Sequence, residues 1–137
     1  MTKIVIVEDD KGLSEIYDVS LQTAGFQTVV AQDGLTGLNK IKAEMPDLVL
    51  LDIMLPQMSG DQVLANMRAS DWGKAIPVVI LTNISEAEAP DILRNKELPF
   101  DGFLIKANNS PSQIIEHVKK VLAQKASAPQ ANQGTIA

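Results

Sequence analysis

Four short apolar runs punctuate this chain, and each ends in a polar residue able to do chemistry. Ile4-Val5-Ile6-Val7 runs into Glu8-Asp9-Asp10, and Leu48-Val49-Leu50-Leu51 into Asp52. Val78-Val79-Ile80-Leu81 runs into Thr82, and Phe103-Leu104-Ile105 into Lys106. Consecutive apolar, β-favouring residues over about four positions fit strands buried on both faces of a parallel sheet. Between these runs the period becomes helical. Leu13, Ile16, Tyr17, Leu21 and Ala24 recur at helix spacing, with Gly25 as a stop. Gln27 to Ala31 reads as a further short strand. Asp33 is placed to cap a helix carrying Leu38 and Ile41 that ends before Pro46. A turn with Pro56 and Gly60 leads to a helix bearing Val63, Leu64 and Met67. The fourth strand spans Ile76 to Leu81, with Pro77 near its start. Ser85 is placed to cap a fourth helix, poorly patterned and interrupted by Pro90. Ser110-Pro111-Ser112-Gln113 is a capping box with proline at the first helical position, and Ile114, Ile115, Val118, Val121 and Leu122 form the inward stripe of the last helix.

Strands alternating with helices predict an α/β fold: a doubly wound, five-stranded parallel sheet with helices on both faces. Right-handed crossovers must cover both faces, and the strand order 2-1-3-4-5, a common doubly wound arrangement, accommodates this. That order sets the first and third strands side by side, with Asp9 and Asp52 flanking the switch point. Ligands of such sheets bind outside the carboxyl ends of the strands, so all four polar signals converge on one rim.

Composition narrows the picture. The chain has 137 residues, 45% of them hydrophobic, which suits one domain with a real core. Beyond Gln124 the composition turns to Ala, Ser, Pro, Gln, Asn and Gly, so residues 1–124 read as the domain and 125–137 as a disordered tail. With no cysteine there is no disulfide framework and no thiolate chemistry, in keeping with a cytoplasmic protein. The N-terminus enters a strand at once, without a signal peptide, and no apolar run approaches the roughly 20 residues of a membrane span. A net charge of −5 argues against direct nucleic-acid binding.

The rim chemistry suits a divalent cation and a phosphoryl group. Magnesium takes hard oxygen ligands, commonly one or two carboxylates plus a phosphate. Asp9 and Asp52 can supply the carboxylates, with Glu8 or Asp10 alongside and a backbone carbonyl just after Asp52. Asp52, alone on the central strand, is the candidate nucleophile, since aspartate forms acyl phosphates. Lys106 would add positive charge and Thr82 a hydroxyl donor to a phosphoryl oxygen. Plainer readings compete: Asp10 as a helix N-cap, and Thr82 and Lys106 as ordinary strand-end residues. The coincidence of all four signals favours the site.

These residues also carry a resemblance. Val5-Ile6-Val7-Glu8-Asp9-Asp10 with Leu13, Leu51-Asp52-Ile53-Met54-Leu55-Pro56 with Met58-Ser59-Gly60, Leu81-Thr82, and Phe103-Leu104-Ile105-Lys106 together resemble the receiver domain of two-component response regulators, over residues 3 to about 124. The resemblance implies a flavodoxin-like fold and a phosphoprotein of phosphorelay signal transduction, not an enzyme acting on other molecules. It implies that Asp52 takes an aspartyl phosphate from a histidine kinase or histidine phosphotransfer protein. Glu8, Asp9, Asp52 and the Met54 carbonyl would surround Mg²⁺, and Lys106 would contact the phosphoryl group. Thr82 and Phe103 would be the switch pair, acting on a partner at the face of helix 4, strand 5 and helix 5. The expectation is a stand-alone, cytoplasmic receiver with no output domain, no membrane and no nucleic-acid partner.

The chain departs from that family's pattern at three positions. Ala107 stands where proline is usual, Asn83 where alanine or glycine is usual, and Phe103 where tyrosine is commoner. Rival readings fit less well. A flavin-nucleotide binder needs a glycine- and hydroxyl-rich loop where this chain has Glu8-Asp9-Asp10. A phosphatase of the haloacid dehalogenase type wants a second aspartate where Met54 stands. A docking domain that works without phosphorylation would normally have lost Asp52 or Lys106. A phosphohistidine role for His117, the one histidine, conflicts with the strand pattern.

Overall fold

Apolar side chains on consecutive positions need cover on both sides of the sheet, and the fold provides it. A computed structural model describes residues 1–94 and 98–134. Strands β1 (Lys3–Val7), β2 (Gln27–Ala31), β3 (Leu48–Leu51), β4 (Val78–Thr82) and β5 (Gly102–Ile105) form one parallel sheet in the order β2-β1-β3-β4-β5. The helices are α1 (Lys11–Thr23), α2 (Gly34–Glu44), α3 (Gly60–Arg68), α4 (Asp91–Arg94) and α5 (Pro111–Gly134). Alternation along the strands divides the core. Val5, Val7, Val49, Leu51, Val78 and Ile80 pack with Ile41, Val63, Leu64 and Met67 of α2 and α3. Ile4, Ile6, Leu48, Leu50, Val79 and Leu81 pack with Tyr17 and Leu21 of α1 and with Ile114, Val118 and Val121 of α5.

The helix boundaries follow local chemistry. Asp10 and Asp33 cap α1 and α2, accepting from the backbone N–H groups of Leu13 (3.0 Å) and Thr36 (2.7 Å). Gly25 ends α1 at φ 99°, where the Phe26 N–H closes on the Leu21 carbonyl at 3.0 Å. The Ser110 box forms: the Ser110 N–H donates to Gln113 Oε1 at 2.7 Å, and the Gln113 N–H to Ser110 Oγ at 3.3 Å.

Three expectations shift. The fourth strand starts at Val78 rather than Ile76, because Pro77 has no N–H for the ladder. Ser85 caps not a fourth α-helix but a single 3₁₀ turn, Glu86–Glu88, its N–H and hydroxyl both donating to the Glu88 carboxylate. Pro90 explains the break: it forces Ala89 into extended backbone (φ −66°, ψ 157°), and α4 restarts only after it. The backbone of α5 continues to Gly134, so the change of composition after Gln124 does not coincide with the end of the helix. Residues 135–137, also assigned to the tail, lie outside the described residues.

Candidate functional site

The carboxyl ends of β1, β3, β4 and β5 deliver Glu8, Asp52, Thr82 and Lys106 to one rim. Backbone bonds past the strand ends hold the first two in place. The Glu8 N–H donates to the Ala31 carbonyl at 3.0 Å, and the Asp52 N–H to the Val7 carbonyl at 3.1 Å. Glu8 (2% exposed) and Asp52 (4%) are buried, while Asp9 is exposed. Carboxylate oxygens of Glu8, Asp9 and Asp52 lie within 4.8 Å of one another.

Lys106 balances this charge. Its Nζ sits 2.7 Å from Asp52 Oδ2 and 2.5 Å from Glu8 Oε1, with only 9% of its side chain exposed. The second oxygen of each carboxylate takes a backbone donor: Met54 N–H to Asp52 Oδ1 at 3.2 Å, and Asp10 N–H to Glu8 Oε2 at 3.0 Å. Burial raises the Glu8 pKa above its ordinary value, against the lowering pull of Lys106 and the Asp10 N–H. Burial alone would lower the Lys106 pKa, but its hydrogen bonds to Asp52 and Glu8 outweigh that and raise it.

The loop from β3 to α3 is shaped by the backbone of Asp52. A Cβ on Gly60 would lie 2.0 Å from the Asp52 carbonyl oxygen, so only glycine fits. The Gly60 N–H bonds the Ile53 carbonyl at 2.8 Å, and Ser59 caps α3 in a reciprocal box with Gln62. Met54 projects into solvent, 64% exposed. Gln57 takes φ 71° at the loop tip, a backbone region that costs a non-glycine residue about 1–2 kcal/mol.

Glu8, Asp9, Asp52 and Lys106 thus come together as the sequence predicts, whereas Asp10 turns to capping. Thr82 is wholly buried at the end of β4, beside Ile105 in the register, and its hydroxyl accepts weakly from the Ile84 N–H at 3.5 Å. Phe103 pairs with Ile80 in the register, so it shares a sheet face with Thr82, and its ring lies 6.0 Å from Phe100. Sequence reasoning missed Tyr17, buried in the fields of Lys106, Glu8 and Asp52, its pKa raised by that burial. Its place in the helical stripe marked it only as core. It also missed the half-buried Arg68, which donates to the carbonyls of Pro99 and Ile76 at 2.8 Å each. An arginine closing a helix carries no signal of the loops it ties.

An acidic cluster and a lysine at the carboxyl rim of this sheet suit a divalent cation and a phosphoryl group, and the relatives say in which family they do so. Residues 4–119 match the model of the response regulator receiver domain, and the chain belongs to that family. It is 35% identical over 120 residues to the phosphate regulon transcriptional regulatory protein PhoB of Escherichia coli, covering 88% of this chain and 51% of that protein. It is 32% identical over 127 residues to the DNA-binding response regulator MtrA of Mycobacterium tuberculosis, covering 93% of this chain and 53% of that one. The chain therefore spans about half the length of the curated relatives it matches. Among solved structures it resembles the N-terminal domain of a response regulator/sensory box/GGDEF three-domain protein from Carboxydothermus hydrogenoformans (TM-score 0.78, 28% identity, 93% of this chain and 98% of that one). The fold is shared with a CheY-like receiver domain from Methanospirillum hungatei (TM-score 0.82, 23% identity, 93% of this chain and 98% of that one). Receiver domains are the phosphoacceptors of two-component signalling and bind Mg²⁺ at an acidic cluster like this one. Among the described residues no helix is long and apolar enough to cross a membrane.

Proposed function

We propose that Asp52 is the phosphoacceptor, receiving its phosphoryl group from a histidine kinase or histidine phosphotransfer protein. The observation that carries this reading is the convergence of Lys106 on Asp52 and Glu8, with Asp9 alongside. Three carboxylates within reach of one another suit a hard divalent cation. Glu8, Asp9, Asp52 and the Met54 carbonyl would hold Mg²⁺, which when bound supplies positive charge against the incoming phosphate. Asp52 Oδ1, held by the Met54 N–H, and Oδ2, held by Lys106, fix the carboxylate plane. Attack by one of these oxygens on phosphorus forms the acyl phosphate, and the donor's leaving group departs on the opposite side. Lys106 then pairs with the phosphoryl oxygens, and Thr82 donates its hydroxyl to one of them.

In this reading Thr82 and Phe103 are the switch, and the partner binds at the face of α4, β5 and α5. The chain works in the cytoplasm without touching nucleic acid or membrane, and its only catalysis is its own phosphorylation and dephosphorylation. Residues 1–124 form the working domain, with 125–137 as an appendage. The test is incubation with acetyl phosphate and Mg²⁺, read by intact mass. One added phosphoryl group is expected, lost in Asp52→Asn and blocked by EDTA. A gain that survives Asp52→Asn would sink the assignment.

A further inference from the structure

We propose that Asn83 is a positioning residue: it straps the loop after β4 to the loop after β5 and so holds Lys106 over Asp52. The proposal rests on Asp52 being the phosphoacceptor. The contact itself is a hydrogen bond from the Ala107 N–H to Asn83 Oδ1 at 3.2 Å. It joins the residue that follows Thr82 to the residue that follows Lys106. The β4–β5 ladder ends at the Thr82–Ile105 pair, and the Asn83 side chain carries the connection beyond it. A second asparagine secures the same turn. Asn109 Nδ2 donates to the Ile105 carbonyl at 2.9 Å, so the 3₁₀ turn Lys106–Asn108 is pinned on both sides.

The strap needs both unusual residues at once. A proline at 107 would have no N–H to give. An alanine or glycine at 83 would have no side-chain acceptor. Two of the three departures from the family pattern, Asn83 and Ala107, are therefore the two halves of one contact. Its consequence is mechanical. Thr82 and Lys106 both reach toward the group that Asp52 carries, and the strap makes their loops move as a unit. Losing it should slow phosphoryl capture and leave metal binding unchanged, because neither Asn83 nor Ala107 belongs to the acidic cluster.

The experiment uses the full chain with two variants. Asn83→Leu keeps the bulk at 83 but removes the acceptor, while Ala107→Pro removes the donor. Amide exchange followed by NMR should show the Ala107 N–H exchanging about five- to tenfold faster in Asn83→Leu, the scale of one hydrogen bond. The phosphorylation rate with acetyl phosphate should fall by about threefold or more in each variant and no further in the double variant, with the half-saturating Mg²⁺ unchanged. Equal Ala107 exchange in parent and Asn83→Leu overturns the strap. Rate losses that multiply in the double variant, or a shifted Mg²⁺ requirement, overturn the positioning role. If the parent takes up no phosphoryl group while Ala107 is protected, the phosphoacceptor reading falls and takes the role with it. The exchange result tells that failure apart from failure of the contact.

Discussion

Lys106 is the cation that lets two buried carboxylates, Glu8 and Asp52, share one rim. Removing one member of a buried ion cluster costs about 3–5 kcal/mol. Lys106→Met should therefore lower the unfolding free energy by about 3 kcal/mol at neutral pH without metal, measured by urea denaturation. The pH dependence has a definite sign. Glu8 has a raised pKa, so its charged form costs stability, and that cost disappears as pH falls through the window above 4.5. The variant's deficit should narrow there, because protonation removes one of the two unbalanced charges. A deficit constant from pH 7 to pH 4 would contradict this picture. Two neighbours are expected to govern a second property. Met54 and Ile84 offer no strong hydrogen bond to orient a hydrolytic water. Slow self-dephosphorylation is expected, with Met54→Asn and Ile84→Glu faster and the double change fastest. Ile84 packs partly against the core, so Ile84→Glu should also lose stability, whereas Met54→Asn should not. A parent that loses phosphate as fast as the double variant would show that these side chains do not set the lifetime. At this scale the sequence exposed the charged residues well, because strand ends announce them. It hid the strap, since nothing in the spacing says that Asn83 and Ala107 meet.

Among the elements, β4 and β5 carry the proposed route from site to surface. Thr82 and Phe103 share a sheet face, and Phe103 leans on Phe100 in the segment that enters β5. Beryllofluoride with Mg²⁺, a stand-in for the phosphoryl group, should therefore shift NMR resonances of Thr82, Ile84 and residues 101–106. Shifts confined to Glu8, Asp9 and Asp52 would argue against a switch. The strands were legible because continuous apolar runs have few other uses, and α1, α2 and α5 because their caps are explicit. The region after β4 was not. Its Ser85 capping box is real but closes a 3₁₀ turn, and Pro90 overrides the α-helix that the box suggests. Two local signals compete there, and the proline's steric exclusion wins.

For the whole molecule, the two core faces follow from alternation and crossover handedness, and the sheet takes the common doubly wound order that the crossovers allow. The end of the domain does not, because the composition changes after Gln124 while the backbone of α5 continues to Gly134. A chain lacking residues 126–137 retains the Lys125–Asp101 ion pair (3.0 Å) and the full inward stripe of α5. Its melting temperature should stay within about 2 °C of the parent, since a 1 kcal/mol loss alone would move a domain of this size by about 2–6 °C. A larger fall would place the appendage inside the working domain. The central claim is that one carboxylate, Asp52, carries the phosphoryl group. It is tested most directly by reducing the phosphorylated chain with borohydride, which converts an aspartyl phosphate to homoserine, and mapping the peptides. The account predicts homoserine at position 52 alone, and only when Mg²⁺ was present. Homoserine at Asp9 or Asp10, or a phosphate that resists reduction on His117 or a hydroxyl side chain, would contradict it.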